Sequence, residues 1–322
     1  MYKILSIDGG GIRGVIPGVL LQYIEEKTGN SISNTFDLIV GTSTGGILAA
    51  GLTVPGKGNF PKFSAEDMVS LYTDFGGEIF GRSLWRKVSS GAGSIDEKYS
   101  HKNLERLLTE RLGKKTLKDC LKPIVLTSYD IERREPYFFK SSRAKKHTTR
   151  NHYLADAARA TSAAPTYFEP AKVMSLSKNP VRRALVDGGI FANNPSVCAY
   201  VEAIRQKGPN DEILMVSLGT GVATRKIAYE DAVDWGALGW ARPAISAMMD
   251  GVSDVADYQM EQLLAGKTNG KNQRYFRFDI ELLMASDDLD NARAGNIQNL
   301  KDEAARIVEK QDMEFKRLFK LL

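Results

Sequence analysis

Two short apolar segments near the start of the chain each end in a glycine-rich turn that leads into a helical pattern. Residues 3–7 are followed by the turn D-G-G-G at 8–11 and a helical pattern over 15–27. Residues 37–40 are followed by the turn G-T-S-T-G at 41–45 and a second run of small and apolar residues. Strands that lead directly into helices are typical of parallel sheets, because parallel strands need a long crossover connection. The sequence therefore predicts an α/β fold, with a central, mostly parallel sheet flanked by helices in three α/β/α layers.

Similar patterns divide the rest of the chain without marking a boundary between domains. The 322 residues contain no internal repeat, low-complexity segment or linker pattern, and 43% of them are hydrophobic, enough for one sizeable core. We predict a single domain over 1–322, with a motif-bearing core over about 1–221 and a helical C-terminal part over about 222–322. The further predicted elements are strands at 123–128, 134–140, 184–186, 213–218 and 274–280, helices at 66–75, 103–112, 153–160, 299–322 and after Asn194-Pro195, and loops at 54–61 and 91–94.

The turn at 41–45 matches the pattern G-x-S-x-G, with Ser43 at its centre. Between a strand and a helix this pattern is typical of a nucleophile elbow, because small flanking residues allow a sharp turn that exposes the serine hydroxyl. The amino end of the following helix favours the negative charge that develops during attack on an ester. The alternative is a small-residue turn that only packs a helix close to a strand. The context favours Ser43 as a nucleophile.

A serine nucleophile needs a base, and the histidines of this chain are poor candidates. All three, His101, His147 and His152, lie among charged or polar residues, which predicts surface positions. Asp187 is the stronger candidate, because it ends a predicted strand and we expect it at the carboxyl edge of the sheet, beside the elbow. Burial raises the pKa of an aspartate toward the range in which it can act as a base. The alternative role of Asp187 is that of a turn residue at the end of a strand.

The turn at 8–11 supplies backbone N–H groups at the start of a helix, where anions bind readily. In an acyl hydrolase the anion is the oxyanion of the tetrahedral intermediate, and Gly9, Gly10 and Gly11 are candidate donors to it. Arg13 adds a positive charge that suits the oxyanion, a phosphate headgroup or a nearby carboxylate such as Asp8.

The same glycines also match the dinucleotide fingerprint G-x-G-x-x-G over 9–14. That fingerprint requires an acidic residue at the end of the second strand to hold the ribose. The second strand ends instead in V-G-T-S at 40–43, without an acid. A nucleotide-binding oxidoreductase is therefore disfavoured.

No feature of the sequence predicts a metal or a cofactor. Cys120 and Cys198 are far apart and form no C-x-x-C motif, which argues against a zinc site or a disulfide framework. The first residues have the pattern of a strand rather than a signal peptide, and no apolar run approaches the roughly 20 residues of a membrane span. We expect a cytoplasmic protein that contacts membranes peripherally. The net charge of +5 suits anionic headgroups or solvated lysines, and we expect no nucleic-acid partner.

Taken together, the motifs resemble those of the patatin-like phospholipase family. The resemblance extends from residue 1 to about 221 and is less distinct beyond that point. It rests on D-G-G-G-I-R-G at 8–14, G-T-S-T-G at 41–45 and D-G-G at 187–189, with support from T-S-A-A-P at 161–165, N-N-P at 193–195 and S-L-G-T-G at 217–221.

The resemblance implies a catalytic Ser–Asp dyad, with Ser43 as nucleophile and Asp187 as general base. It implies an oxyanion hole formed by Gly9, Gly10 and Gly11 with support from Arg13. It further implies release of fatty acid from phospholipids or lysophospholipids at a membrane surface without calcium. A thioesterase or an acyltransferase that uses the same dyad is the main alternative. A non-catalytic binding module is disfavoured, because both members of the dyad are present.

Two further segments have alternative interpretations. Residues 143–150 are rich in Lys and Arg and suit either a solvated basic loop or a small anionic activator. The second possibility follows from bacterial proteins similar to this one that cyclic nucleotides switch on during anti-phage defence. The predicted helix at 299–322 has an apolar stripe that is typical of packing on a core, and a membrane-surface role is its alternative.

Overall fold

The computed structural model describes residues 1–79, 101–208, 212–265 and 274–322. The predicted loop at 91–94 and the side chain of His101 lie outside the described residues.

One eight-stranded sheet forms the centre of the described fold. Its strands are β1 (Tyr2–Ile7), β2 (Leu38–Gly41), β3 (Ile124–Asp130), β4 (Glu135–Lys140), β5 (Ala171–Met174), β6 (Arg182–Asp187), β7 (Ile213–Leu218) and β8 (Tyr275–Phe278). The pairs β1–β2, β1–β7, β2–β3 and β7–β8 are parallel, whereas β4 and β6 run antiparallel to β3, and β5 antiparallel to β6. The predicted mostly parallel sheet is confirmed, and β8 brings a strand of the C-terminal region into it.

Helices cover both faces of this sheet, as the predicted α/β/α layers require. The α-helices are α1 (Val15–Thr28), α2 (Ile32–Thr35), α3 (Thr44–Thr53), α4 (Ala65–Ile79), α5 (His101–Leu112), α6 (Ser141–Ala144), α7 (Leu154–Thr161), α8 (Gly189–Ala192), α9 (Ser196–Lys207), α10 (Tyr229–Ala232), α11 (Ala237–Met260), α12 (Ala294–Lys310) and α13 (Asp312–Phe319). Short 3₁₀ turns lie at Gly11–Gly14, Lys57–Asn59, Leu117–Asp119 and Thr148–Arg150, and a π-helical turn follows α11 at Glu261–Ala265.

Successive residues of the central strands enter two separate hydrophobic cores. Leu5 and Ile7 of β1 lie in the larger core, which α1, α3, α7 and α12 cover. Tyr2 and Ile4 lie in the smaller core on the other face, where α9 packs. A strand that is buried on both faces has apolar residues at successive positions, which explains the continuous apolar runs in the sequence.

β2 and β6 meet end to end along one edge of β3. β4 occupies the other edge, pairing with residues 125–130. β2 pairs with β3 only as far as Leu126, and β6 begins its pairing at Ser128, opposite Asp187. Because the two strands run in opposite directions, their carboxyl ends face each other across Thr127. Asp187 therefore reaches the elbow from an antiparallel strand, and not from the shared edge of parallel strands that the sequence suggested.

The C-terminal segment differs from its prediction in one respect. A single helix was expected over 299–322, but the structure has α12 and α13, with Gln311 in a non-helical conformation between them (φ −112°, ψ 25°). The predicted apolar stripe does pack on the core: Leu300, Ile307 and Leu318 are fully buried. β5 had no counterpart in the sequence prediction, and the 24-residue helix α11 was predicted only as an undivided part of the helical C-terminal region at about 222–322.

No helix in the described part of the chain is both long enough and apolar enough to cross a membrane.

Candidate active site

Ser43 lies at the tip of a sharp turn between β2 and α3. Its backbone has φ 55° and ψ −123°, a conformation that costs a residue with a side chain about 1–3 kcal/mol. Its flanking residues have to be small: a Cβ on Gly41 would overlap the carbonyl of Gly45, and one on Gly45 would overlap the carbonyl of Ile7. Ser43 is 6% exposed. This is the geometry expected of a nucleophile elbow.

A threonine stabilises the strained turn from the neighbouring helix α7. The Ser43 N–H donates to Oγ1 of Thr161 at 3.0 Å, and this hydroxyl donates to the carbonyl of Thr127 at 2.6 Å. Thr127 is the β3 residue that separates the ends of β2 and β6. Thr161 begins the motif T-S-A-A-P, but no local sequence pattern indicates its role, because its contacts with residues 43 and 127 are long-range.

Asp187 lies beside Ser43 and is 2% exposed. Its Oδ1 accepts a hydrogen bond of 2.7 Å from the N–H of Gly189. Its buried Oδ2 has no hydrogen-bond partner among the described residues. The Ser43 hydroxyl is near enough to lower the pKa of this carboxyl, without meeting the geometry of a closed hydrogen bond. Contacts between nucleophile and base are commonly loose in a site without substrate.

The protonation behaviour of Asp187 follows from its burial. Removal of the carboxylate from water raises its pKa from 3.8 to about 7, against the opposing effects of the Ser43 hydroxyl and the Gly189 N–H. A base with a pKa near neutrality is half ionised at neutral pH and still accepts a proton readily. Asp187 can therefore exchange a proton with Ser43 without a histidine.

An apolar pocket opens beside the two side chains. Most of its walls come from α3, α4, α5 and the segment that follows α7, and Met249 of α11 contributes from the C-terminal region. Its apolar lining suits a hydrocarbon chain. Besides Ser43 and Asp187 the pocket is lined by Gly11, Thr44, Ile47, Leu71, Tyr72, Ile79, Leu104, Ser162, Ala164, Tyr167, Phe168, Met249 and Leu289.

The three glycines of the first turn differ in what their N–H groups do. Gly9 donates to the carbonyl of Asn193 at 3.0 Å, so its N–H is not free to bind an anion in this structure. Gly10 and Gly11 donate to no group within the described residues. Gly9 has a different function: a Cβ there would overlap the side chain of Asn193 and crowd Cβ of Ser43. The candidate oxyanion donors are thereby reduced to Gly10 and Gly11.

Arg13 is buried behind this turn, with 5% of its surface exposed. Its Nη1 donates to the carbonyl of Gly221 at 3.2 Å, and its Nε has no partner among the residues that the structure describes. Burial lowers the pKa of Arg13. The suggested pairing of Arg13 with Asp8 is wrong, because Asp8 pairs with Arg277 at 2.7 Å.

The histidines take no part in this arrangement where their side chains are described. His147 is exposed, as predicted. The predicted surface position of His152 is wrong: it is 1% exposed, and its ring nitrogens bond to the Tyr137 hydroxyl at 2.9 Å and the Met174 carbonyl at 3.0 Å. Burial lowers its pKa to about 4. Its polar sequence neighbours gave a misleading signal, because β5, which covers it, was not predicted.

The described residues include no group of three or more His, Cys, Asp or Glu side chains arranged to hold a metal ion. Cys120 and Cys198 are both free thiols.

The sequence as a whole matches known proteins. The patatin-like phospholipase family matches residues 5–197, which include both Ser43 and Asp187. The chain belongs to this family. Among its relatives, patatin-like protein 2 of Oryza sativa subsp. indica is 30% identical over 96% of this chain and 84% of its own length. Patatin-like protein 2 of Arabidopsis thaliana is 35% identical over 81% of this chain and 71% of its own.

Membership in the patatin-like phospholipase family supports lipid acyl hydrolase activity. Another relative is named probable inactive patatin-3-Kuras 1, from Solanum tuberosum, with 32% identity over 84% of this chain and 77% of its own. Activity is therefore a matter of the site and not of the family alone. VipD from Legionella pneumophila has a solved structure that covers 96% of this chain and 67% of its own, with 14% identity and a TM-score of 0.36, too low for a comparison of site geometry.

Proposed function

We propose that this patatin-like protein is a calcium-independent lipid acyl hydrolase that works through an acyl-serine intermediate, with Ser43 as nucleophile and Asp187 as base. One observation carries the proposal: the buried Oδ2 of Asp187 has no partner among the described residues and lies beside Ser43 in an apolar pocket. An unpaired buried carboxylate oxygen is unfavourable for stability. Its presence beside a strained serine is explained if it receives the serine proton.

In the first half of the reaction the Ser43 Oγ attacks the ester carbonyl as its proton passes to Oδ2 of Asp187. The oxyanion of the tetrahedral intermediate accepts hydrogen bonds from the free N–H groups of Gly10 and Gly11, and the buried charge of Arg13 supports it. When the intermediate collapses, the ester C–O bond breaks and Asp187 returns the proton to the leaving alkoxide. A lyso-lipid or glycerol alcohol departs, and the acyl group stays on Ser43.

In the second half, water replaces the departed alcohol. Asp187 takes a proton from the water as the water oxygen attacks the acyl carbonyl. The N–H groups of Gly10 and Gly11 bind the second oxyanion. Breakage of the bond to Oγ releases the fatty acid, and Asp187 returns the proton to Ser43. The dyad is then regenerated.

The apolar pocket supports a phospholipid or lysophospholipid as the substrate. Its aliphatic and aromatic walls match an acyl chain, and the ester carbonyl of such a chain would lie at Ser43. We propose that the enzyme meets this substrate at a membrane surface in the cytoplasm. A thioester or an alcohol acceptor fits the same chemistry, and competition between water and added alcohols distinguishes hydrolase from acyltransferase.

A second pocket supports a small anionic activator, for which we propose a nucleotide. It measures about 880 Å³ and lies near the amino ends of β1 and β3, whereas Ser43 follows the carboxyl end of β2. Of its cationic residues, Arg205 is the one that forms an ion pair with another described residue, Glu202. The pocket is lined by Ser142, Arg143, Lys146, His147, Thr149, Arg150, Arg205 and Gln206.

The test of the proposed function is fatty-acid release from mixed phospholipid vesicles in the presence of a calcium chelator. Wild type should release fatty acid, and Ser43→Ala and Asp187→Asn should each reduce the rate by about 10⁴-fold or more. Ser6→Ala is a matched control, because Ser6 is also buried and its hydroxyl has no partner among the described residues. Full activity in Ser43→Ala would contradict the proposal.

If the wild type is inactive alone, the same assay with a panel of cyclic nucleotides tests the activator. Activation should disappear in the double variant Arg143→Gln, Lys146→Gln, whose changes lie in the basic pocket and leave the dyad intact. Activation that survives these changes would place the activator elsewhere.

A further inference from the structure

The glycine turn rests on two strands of the C-terminal half of the sheet. The motif S-L-G-T-G at 217–221 ends β7 and had no function in the sequence analysis. Thr220 Oγ1 donates to the carbonyl of Gly9 at 2.8 Å, and a Cβ on Gly10 would overlap the Thr220 side chain. The position of Gly10 is therefore determined by close contact with the turn after β7.

Asp279, just beyond β8, holds the turn after β7 in place. Asp279 Oδ1 accepts the N–H of Gly221 at 2.9 Å, and a Cβ on Gly219 would overlap its carboxylate. The carbonyl of Gly221 accepts the hydrogen bond from Arg13. Asp279 thus positions Gly221, whose carbonyl binds Arg13, and also the turn that contacts Gly10.

Arg277 of β8 connects these parts. Its Nη2 donates to Asp279 Oδ2 at 2.6 Å and to Asp8 Oδ2 at 2.7 Å, and its Nη1 donates to Ser217 Oγ at 2.9 Å. The Arg277 side chain is 14% exposed and that of Asp8 is 3% exposed. One guanidinium therefore joins three strands, β8, β7 and β1, directly beneath the glycine turn. Its planar fork suits this bidentate task better than a lysine would.

We propose that Arg277 is a positioning residue for the hydrolytic reaction: by holding Asp8 and Asp279 together, it orients the N–H groups of Gly10 and Gly11 and the side chain of Arg13 toward the oxyanion. The inference rests on the proposed function of the Ser43–Asp187 site. Arg277 and Asp279 lie outside the segment that matches the family, residues 5–197. Loss of Arg277 leaves the buried carboxylate of Asp8 and the partly buried carboxylate of Asp279 without their cation, and the Asp8 carboxylate is adjacent to the glycine turn.

Four variants test the inference: Arg277→Gln, Arg277→Lys, Asp279→Asn and the control Arg274→Gln. Arg274 lies just before β8 and pairs with Glu212 at the exposed surface, far along the strand from Asp8. The measurements are kcat and KM on a soluble p-nitrophenyl ester, the rate at which an alkyl fluorophosphonate labels Ser43, and the melting temperature. The phosphonate oxygen occupies the oxyanion position, so labelling reports on the orientation of the donors.

Arg277→Gln should reduce kcat and the labelling rate by about 10- to 100-fold with little change in KM, the effect of a small displacement of catalytic donors. Arg277→Lys should recover part of the loss, because one ammonium can pair with one of the two carboxylates. Asp279→Asn keeps an acceptor for Gly221 and should show an intermediate loss. Arg274→Gln should match the wild type.

The outcomes separate the two proposals. If Ser43→Ala hydrolyses the ester as fast as the wild type, the proposed function fails. If Ser43→Ala is inactive while Arg277→Gln keeps the wild-type kcat and labelling rate, or changes KM alone, the positioning inference is overturned. If Arg277→Gln does not fold, Arg277→Lys and Asp279→Asn decide by the same criterion.

Discussion

The two sides of the site are built in opposite ways. Where β2 meets β6, Ser43 has a strained backbone, and the buried Oδ2 of Asp187 contacts neither a hydrogen-bond partner nor a cation among the described residues. Where β1, β7 and β8 lie side by side, Asp8 and Asp279 share the guanidinium of Arg277. The first side retains unsatisfied groups that can react. The second side pairs both of its carboxylates with one guanidinium, although Asp8 Oδ1 and Arg13 Nε have no partner among the described residues. It positions backbone donors, which indicates that the two sides of the site have different tasks.

The largest effect in this comparison is expected from Gly10→Ala. The added methyl group would overlap Thr220 and displace the turn without touching Ser43 or Asp187. We expect kcat to fall by about 10²- to 10³-fold, as when one oxyanion donor is lost. Gly77→Ala is the matched control, because a Cβ there meets no atom within 4 Å. Near-normal turnover by Gly10→Ala would mean that the glycine turn does not carry the oxyanion site.

The next effect concerns stability at the reactive side. Because the pKa of Asp187 is raised from 3.8 to about 7 in the folded state, the folded protein binds this proton more tightly than the unfolded chain. The contribution of Asp187 to the free energy of unfolding is therefore fully present below pH 4 and is lost as the pH rises from 4 toward 7. Asp187→Asn removes the buried charge and should raise the free energy of unfolding at pH 8 by about 1–4 kcal/mol.

Urea titrations at two pH values measure this gain, which should shrink at pH 5, where the wild-type carboxyl is protonated. Asp74→Asn, at an exposed position on α4, is the control for the substitution itself. A gain that is the same at both pH values would contradict the assigned cause.

The pH dependence of activity distinguishes the carboxyl of Asp187 from that of Asp8. Asp187 must be ionised to accept a proton, so kcat/KM should fall below a midpoint near pH 7, by about tenfold per unit at lower pH. Burial also raises the pKa of Asp8 to about 7, against the effect of Arg277. Asp8→Asn keeps an acceptor for Arg277 and should leave the midpoint in place. A midpoint that moves with Asp8→Asn would assign the pH profile of kcat/KM to Asp8 and not to Asp187.

The smallest expected effect is at Thr220. Thr220→Val keeps the shape that confines Gly10 but removes the hydrogen bond to the Gly9 carbonyl. A hydrogen bond contributes about 1 kcal/mol, and we expect kcat to fall by about fivefold. Thr220→Ser keeps the hydroxyl and should stay nearer the wild type. Equal losses in both variants would show that packing, and not the hydrogen bond, holds the turn.

The two sides of the site also differ in how much of each can be predicted from the sequence. The turn at Ser43 is a local feature, and its neighbouring glycines predicted it. The approach of Asp187 depends on the direction of β6, which a short apolar run does not reveal, and the burial of His152 depends on β5. The contact between Asp8 and Arg277 spans 269 positions in the chain, and no local pattern indicates it. Likewise, only the structure shows that the N–H of Gly9 is already bonded to Asn193.

In the proposed mechanism, the end-to-end meeting of β2 and β6 gives β3 a part in catalysis, although β3 carries neither Ser43 nor Asp187. Both strands take their register from β3, and the gap between their pairings is the single residue Thr127. The separation between Ser43 and Asp187 is therefore determined by the register of both strands on the backbone of β3. Segments inserted in the connections between α3 and β3, which include the pocket helices α4 and α5, could lengthen or reshape the pocket without altering this separation. One residue added to the end of β2 or β6 would instead drive the two side chains together. Variation in substrate range and constancy of chemistry can thus coexist in one fold.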